Sequence, residues 1–544
     1  MSGHRHHWLL SMLAMGGGFL LAATQTGAAD SPSTVREGGI VRISLPGPDF
    51  DYIDPALAYS SAWYLLDTTC ARLMTYPDKP PPEGLRLVPE VAADFPKISR
   101  NGKTYTFTLR SGFRFSDGTP VRASAFARAI HRTLAPGVNS AGAQYTGDIV
   151  GAADVQAGRT TTAAGVVARG NTLVVRFTRP ILDFAAKTTM PFFCAVPPTL
   201  PADPEGVGAF PSAGPYVVTE YRPGERVIIR RNRFYGGTRP HHVDGFDVDL
   251  RATSGSEALD RVERGEADWG SALATIYFEP GRGLAAKYGV NRSQFFVKPG
   301  FTLRHVIFNT SRPLFRNNAK LRRAVNFALD RKALSRAVTN SPLAERLTDQ
   351  YLPPTLPGFR DADIYPLERP DLRRARELAR GNTRGGKATL YVRNSPLPLA
   401  VAQLVKQQLT EIELDVEVKA IPGAALANKL VAPDEPWDLT VILWVADFID
   451  PYQYVNQLFD GQFIGAYGDV GRFDSTRYNR LMRQAARKLG PERYRAYGEL
   501  DVRLARDAAP SAAISIFSEP TLVSKRVGCI VLRPALDLTA ACLK

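Results

Sequence analysis

Residues 371–419 restrict most what this chain can become. A helical stretch at 371–380 precedes an apolar strand pattern at 388–393, a helix at 398–411 and a second strand pattern at 414–419. Strand, helix and strand in so short a span make a crossover unit, and crossovers join parallel strands. The chain is therefore expected to be α/β, with a partly parallel sheet. Further strands are expected at Gly39–Leu45, 172–178, 304–309 and 513–517. YTFTLR and FRFS (within 104–116) read as a hairpin, and 214–220 with 226–231 as a second pair turning at Pro223-Gly224. Residues 317–336 carry apolar positions at a 3–4 spacing, which predicts one helix. The first part is strand-rich and the second α/β, and no long disordered linker separates them. Crossing strands are the expected join.

The first 29 residues are not part of that fold. Arg5, an apolar stretch from Trp8 to Ala23, and Gly27 and Ala29 ahead of Asp30 have the layout of a secretory signal peptide. Gly16, Gly17 and Gly18 interrupt the apolar stretch, and no Cys stands near the cleavage point to carry a lipid. The expected product is an exported, unanchored protein. The full chain is basic, with 68 Lys and Arg against 53 Asp and Glu. These cations are scattered rather than gathered into a block with interleaved aromatics, so no nucleic-acid partner is expected.

Export also sets the reading of the cysteines. Cys70, Cys194, Cys529 and Cys542 allow three pairings. Cys529–Cys542 closes a short C-terminal loop and is the favoured bridge, which leaves Cys70–Cys194. No CxxC occurs, the spacings fit no zinc pattern, and the adjacent His241 and His242 lack a third ligand. No metal or cofactor is expected. Neither G-x-S-x-G nor H-E-x-x-H occurs, so the chain is not expected to be an enzyme, and a periplasmic hydrolase is the disfavoured reading.

The stretch VILWVADFIDPYQY, residues 441–454, sets two carboxylates and four aromatics at the end of an apolar strand. Asp447 lies just beyond the strand, where clefts form in α/β folds. Asp450 precedes Pro451 and a helical pattern, as an N-cap does, and Asn is expected to serve there equally well.

Six blocks in order resemble the periplasmic solute-binding proteins of ABC transporters in the peptide/nickel class, also called extracellular solute-binding family 5. They are Gly38-Gly39 to Asp54-Pro55; LVPEVAADFPKISRNGKTYTFTLRSGFRFSDGTPVRASAF; SAGPYVVTEYRPGERVIIRRNRFYGG; VERGEADW; FNTSRPLFRNNAKLRRAVNFALDR; and WVADFIDP. The resemblance runs from about residue 37 to 534. One departure is an exchange: Asp474 and Asn479 stand where the family has Asn and Asp.

The resemblance implies a large two-lobed periplasmic-binding-protein fold. Lobe I would span 30–300 with a strand-rich extra subdomain at about 77–190, lobe II 301–512, and 513–544 would return to lobe I. It implies a monomer that captures di- to oligopeptides in the periplasm and delivers them to an inner-membrane permease. An opine-like compound, oligosaccharide, nickel complex or haem is the alternative solute. It further implies that Asp447 pairs with the ligand's ammonium, a buried charge that needs a counter-charge. Trp444, Phe448 and Tyr452 would be apolar walls. Arg393 would take the ligand carboxylate by bidentate geometry, and Arg304 and His305 are further cleft candidates.

Overall fold

The computed structural model describes residues 35–47, 50–59, 62–271, 283–339, 341–465, 468–533 and 538–544. The signal-peptide reading of residues 1–29 lies outside them. Eleven strands form the main sheet. Across it run Asp415–Ile421, Lys387–Arg393, Leu439–Trp444, Phe295–Phe308, Ser511–Val523, Trp269–Ser271, Ile40–Pro46, Gly245–Ala252, Arg226–Arg231 and Tyr216–Arg222, while Glu345–Leu347 pairs separately with Ser511–Val523.

The crossover unit forms as its pattern requires. Lys387–Arg393 pairs in parallel with Asp415–Ile421 on one side and with Leu439–Trp444 on the other. Between them the helix Pro396–Leu409 starts on a proline and buries Val401, Ala402, Val405 and Leu409, one stripe at helical spacing.

Phe295–Phe308 and Ser511–Val523 are the crossing strands, 14 and 13 residues long. Their antiparallel register breaks between Pro299 and Leu303. On one side of the break, Leu303–Phe308 pairs with Leu439–Trp444. On the other, Thr521–Val523 pairs with Trp269–Ser271. The sheet is thus shared between two lobes. Pro299 has no N–H for the ladder, and a Cβ on Gly300 would lie 2.2 Å from the Phe517 carbonyl oxygen, so both residue types suit the break.

Three expectations are corrected. Phe113–Ser116 does not pair with the strand Thr104–Thr108, whose partners are Lys97–Ile98 and Thr172–Arg176. Instead Phe113 and Phe115 enter the core of this four-stranded subdomain, with Tyr105, Phe107 and Phe126. The single helix at 317–336 is two, Ala319–Ala328 and Arg331–Arg336, because the Asp330 carboxylate accepts the Ala333 N–H at 2.9 Å and starts a new helix. The last strand is far longer than 513–517. Pro520 obscured it, yet the ladder with Phe295–Phe308 runs through Pro520, which stands opposite Val297.

Both disulfides form, Cys70–Cys194 with a Cα–Cα distance of 5.2 Å and Cys529–Cys542 with 5.4 Å. The exchanged pair also keeps its contact, for Asn479 Nδ2 donates to Asp474 Oδ1 at 2.8 Å.

The proline-rich segment after residue 350 is anchored on Asp501, which accepts the Tyr351 N–H at 3.0 Å and Gln350 Nε2 at 2.9 Å. Burial pushes the Asp501 carboxyl up to about 7. A raised acid stabilises the fold while protonated. Its contribution is therefore complete below about pH 4, its unfolded range, and fades as the pH rises to about 7. Between about pH 4.5 and about pH 8, Asp501→Asn should flatten the loss of stability that the parent shows, as read from denaturant midpoints. Equal pH dependence in both proteins would remove Asp501 from the account.

Candidate functional site

The strand Leu439–Trp444 runs parallel to Lys387–Arg393, so both release their C-terminal ends at the same edge of the sheet. Side chains alternate across it. Leu443 and Val445 are 46% and 61% exposed, while Trp444 between them is 7% exposed. Asp447 follows Leu443 and Val445 in parity and is half-buried. Leu443 and Val445 are thus the open apolar positions that lead up to Asp447. Trp444 faces the other way and packs with Leu303, Tyr452, Tyr454 and Phe459.

The next residues are clasped by elements far away in sequence. Tyr59 donates its hydroxyl to Asp447 Oδ1 at 2.9 Å, across 388 residues of sequence. Burial first, and then the Asp447 charge, push the Tyr59 hydroxyl up to about 12. Tyr145 stands beside them, and burial and the same carboxylate raise its hydroxyl far above the usual tyrosine range. That hydroxyl is buried and makes no well-aligned hydrogen bond among the described residues. Tyr59 packs edge-on against Trp63 at 5.6 Å and nearly parallel to Phe192 at 6.4 Å, and Phe192 meets Tyr145 at 5.8 Å. Trp63 is fixed by its indole N–H, which donates to the Ala58 carbonyl at 2.7 Å. Asp447 therefore faces two phenol hydroxyls set in an aromatic wall. A carboxylate so placed can accept from an ammonium while the rings cover its carbon neighbours.

Phe448 turns into the core of the strand-rich subdomain. The Ile449 carbonyl accepts the Tyr76 hydroxyl. Asp450 is 2% exposed. It accepts the Tyr452 N–H at 2.8 Å and takes Arg493 in a two-point pair, Nη2 to Oδ1 at 2.7 Å and Nε to Oδ2 at 3.0 Å. Burial alone would lower the Arg493 guanidinium; the Asp450 charge overrides it and holds Arg493 well above its usual range.

The other candidates are dispersed. Arg393 is exposed at the end of its strand with its guanidinium beside Gly423, and no acid among the described residues pairs with it. Arg304 is buried and bound to Glu345 at 2.7 Å, which also accepts Ser515 Oγ at 2.7 Å. His305 is fully buried, its Nδ1 lies 3.2 Å from Ser511 Oγ, and burial pushes its imidazole down to about 3. Arg304 is 7% and His305 0% exposed, so both side chains are closed to solvent. His241 Nδ1 lies 3.0 Å from the nearby Arg239 carbonyl, and His242 Nδ1 lies 2.8 Å from Glu37, 205 residues away in sequence.

Tyr59, Trp63, Tyr145, Phe192 and Arg493 were not expected from the sequence. DYIDPALAYSSAW is visibly aromatic, but nothing local aims it at a residue 388 positions away.

A family model described as bacterial extracellular solute-binding proteins, family 5 Middle, matches residues 86–465. The probable D,D-dipeptide-binding periplasmic protein DdpA of Escherichia coli is 23% identical over 443 residues, 80% of each chain. The oligopeptide-binding protein OppA of Bacillus subtilis is 24% identical over 408 residues, 72% of each. Among solved structures, clavulanic acid biosynthesis oligopeptide binding protein 2 superposes with a TM-score of 0.78 at 26% identity, over 93% of this chain and 96% of that one. No helix among the described residues is long and apolar enough to cross a membrane. With the two-lobed sheet and the clasped W-x-x-D segment, the match across most of the chain places it: it belongs to the bacterial extracellular solute-binding proteins, family 5.

Proposed function

We propose that this chain is the solute-capturing component of an ABC importer, that its solute is a peptide with a free amino terminus, and that it passes that peptide to an inner-membrane permease. The observation that carries the reading is Asp447, a carboxylate at the open end of a strand, faced by Tyr59 and Tyr145 from the opposite lobe. An α-ammonium entering there meets a counter-charge, and the peptide beyond it would lie along Leu443 and Val445. Arg393, on the same edge of the sheet, is the candidate for the peptide carboxylate. The names of DdpA and OppA support a peptide. The solute leaves unchanged, and the protein acts as a monomer in the periplasm once residues 1–29 are removed.

The register break at Pro299–Leu303 supports a lobe boundary near residue 300 and a return near 513, with closure about the crossing strands. The test is mass spectrometry of the solute that co-purifies from the native compartment, with calorimetry of alanine peptides and their N-acetylated forms. Recovery of intact peptides and tighter binding of the free-amine forms are expected. A sugar or metal complex as the sole co-purifying solute would overturn the reading.

A further inference from the structure

A cavity of about 370 Å³ lies wholly within lobe I, between Thr75–Lys79, Val88–Glu90, Arg110–Phe113 and Gly236–Pro240. That volume falls in the range of small-molecule sites, about 300–1,000 Å³. Asp447 and its aromatic neighbours take no part in it.

Its floor is an internally balanced set of charges. Arg72, Arg239 and Arg533 stand against Asp67, Asp78 and Glu90, with contacts that include Arg72–Asp67 at 2.6 Å, Arg239–Asp67 at 2.8 Å and Arg533–Asp78 at 3.3 Å. Glu90 is incompletely used. Its side chain is 4% exposed, its Oε2 accepts the Arg72 N–H at 2.9 Å, and its Oε1 accepts no hydrogen bond, with Arg239 Nη1 3.8 Å away. Burial raises the Glu90 carboxyl above its ordinary value despite the two guanidiniums beside it. A further donor is what this group lacks.

The rim has the opposite character. Lys79 and Arg110 are exposed, and among the described residues neither makes an ion pair or a side-chain hydrogen bond. With the floor balanced, these two cations leave the mouth positive. Val88 and Phe113 supply apolar wall.

We propose that this cavity is a second ligand site, separate from the cleft, for a small zwitterion of the α-amino-acid class, its ammonium on Glu90 and its carboxylate on Arg110 and Lys79. A simple anion would leave Glu90 without its donor, and a simple cation would be repelled at the mouth. The inference stands apart from the peptide reading, since no residue is shared with the Asp447 site.

The test is calorimetry on the full mature protein with L-leucine, whose apolar side chain suits Val88 and Phe113. 4-Methylpentanoate lacks only the amine and 3-methylbutylamine lacks only the carboxylate. Saturable 1:1 binding of L-leucine is expected in the parent and, unchanged, in Asp447→Asn. Each truncated analogue should bind about tenfold more weakly or worse, the loss of one charge-assisted hydrogen bond. Arg110→Ala, at an exposed position that does not endanger folding, should weaken L-leucine by a similar factor, as should Glu90→Gln if it folds. Absence of L-leucine binding, equal affinity in Arg110→Ala, or loss of binding in Asp447→Asn would each overturn the proposal. The last result would place the amino acid in the cleft.

Discussion

Asp450→Asn is expected to destabilise the fold by about 3–5 kcal/mol, the penalty for leaving one member of a buried ion pair without its partner. The N-cap alone would give the opposite forecast, since Asn caps a helix nearly as well as Asp. The structure adds the partner. Arg493 is 5% exposed and places both Nε and Nη2 on Asp450, while its Nη1 donates to the Ala486 carbonyl. Asn offers one oxygen, a competing NH₂ and no charge. The pair is closed to solvent on both sides, so screening does not discount it. Guanidinium denaturation of the solute-free protein measures the effect, as a lower midpoint at unchanged slope. A second variant tests the cause. Replacing Arg493 by Met in the Asp450→Asn background removes the stranded charge and should recover much of the lost stability. A single variant within about 1 kcal/mol of the parent would show that Arg493 finds water or another acceptor.

The two carboxylates of ADFID show where sequence reasoning reaches and where it stops. Cap chemistry is local, so Asp450 ahead of Pro451 was legible. Arg493 was not, because 43 residues separate the pair and any of several arginines could have served. The same boundary runs through the fold. Periodicity exposed the crossover unit at 387–421, whose contacts are between sequence neighbours. It failed for YTFTLR, since the true partner TLVVR lies beyond the intervening helices and only the tertiary fold selects it over FRFS. It failed for 511–523 because Pro520 argues against a strand, and only the long ladder with Phe295–Phe308 carries the strand through it. In the candidate site, the face of Trp444 was misjudged for a related reason. VILWV is apolar throughout, as strands covered on both faces are, and such a run hides which residues end up open. Leu443 lies beyond the last pair with Lys387–Arg393, Thr440 with Tyr391, and Val445 also lies beyond the last pair with the first crossing strand, Trp444 with Leu303. Tyr59 lies 388 residues from Asp447 in sequence and Tyr145 is likewise distant, and no local signal places them on Asp447.

Asp447→Asn is expected to weaken binding of free-amine peptides by about 2–5 kcal/mol, the range for truncating one partner of a buried charge pair. That is a loss of roughly thirty-fold to several thousand-fold in Kd. The substitution keeps the volume and leaves an oxygen for the Tyr59 hydroxyl. Asp447 is only half-buried, so the stability of the empty protein should move by less than about 1 kcal/mol. The separation of the two effects is the diagnostic: Asp450→Asn acts on folding, Asp447→Asn on binding. Tyr59→Phe refines the assignment. It removes one donor from Asp447 while keeping the ring against Trp63 and Phe192, so it should alter affinity by only about 1 kcal/mol. N-acetylated peptides should bind the parent poorly. The Asn variant should discriminate much less between acetylated and free forms, because the charge that distinguishes them is gone. Calorimetry of both peptide forms against the parent and the two variants reads all of this directly. Unchanged affinity in Asp447→Asn would sink the ammonium–carboxylate pair. The Tyr59 and Tyr145 hydroxyls would then serve a solute without a free amine, hydrogen-bonding to a neutral polar group beside the aromatic wall.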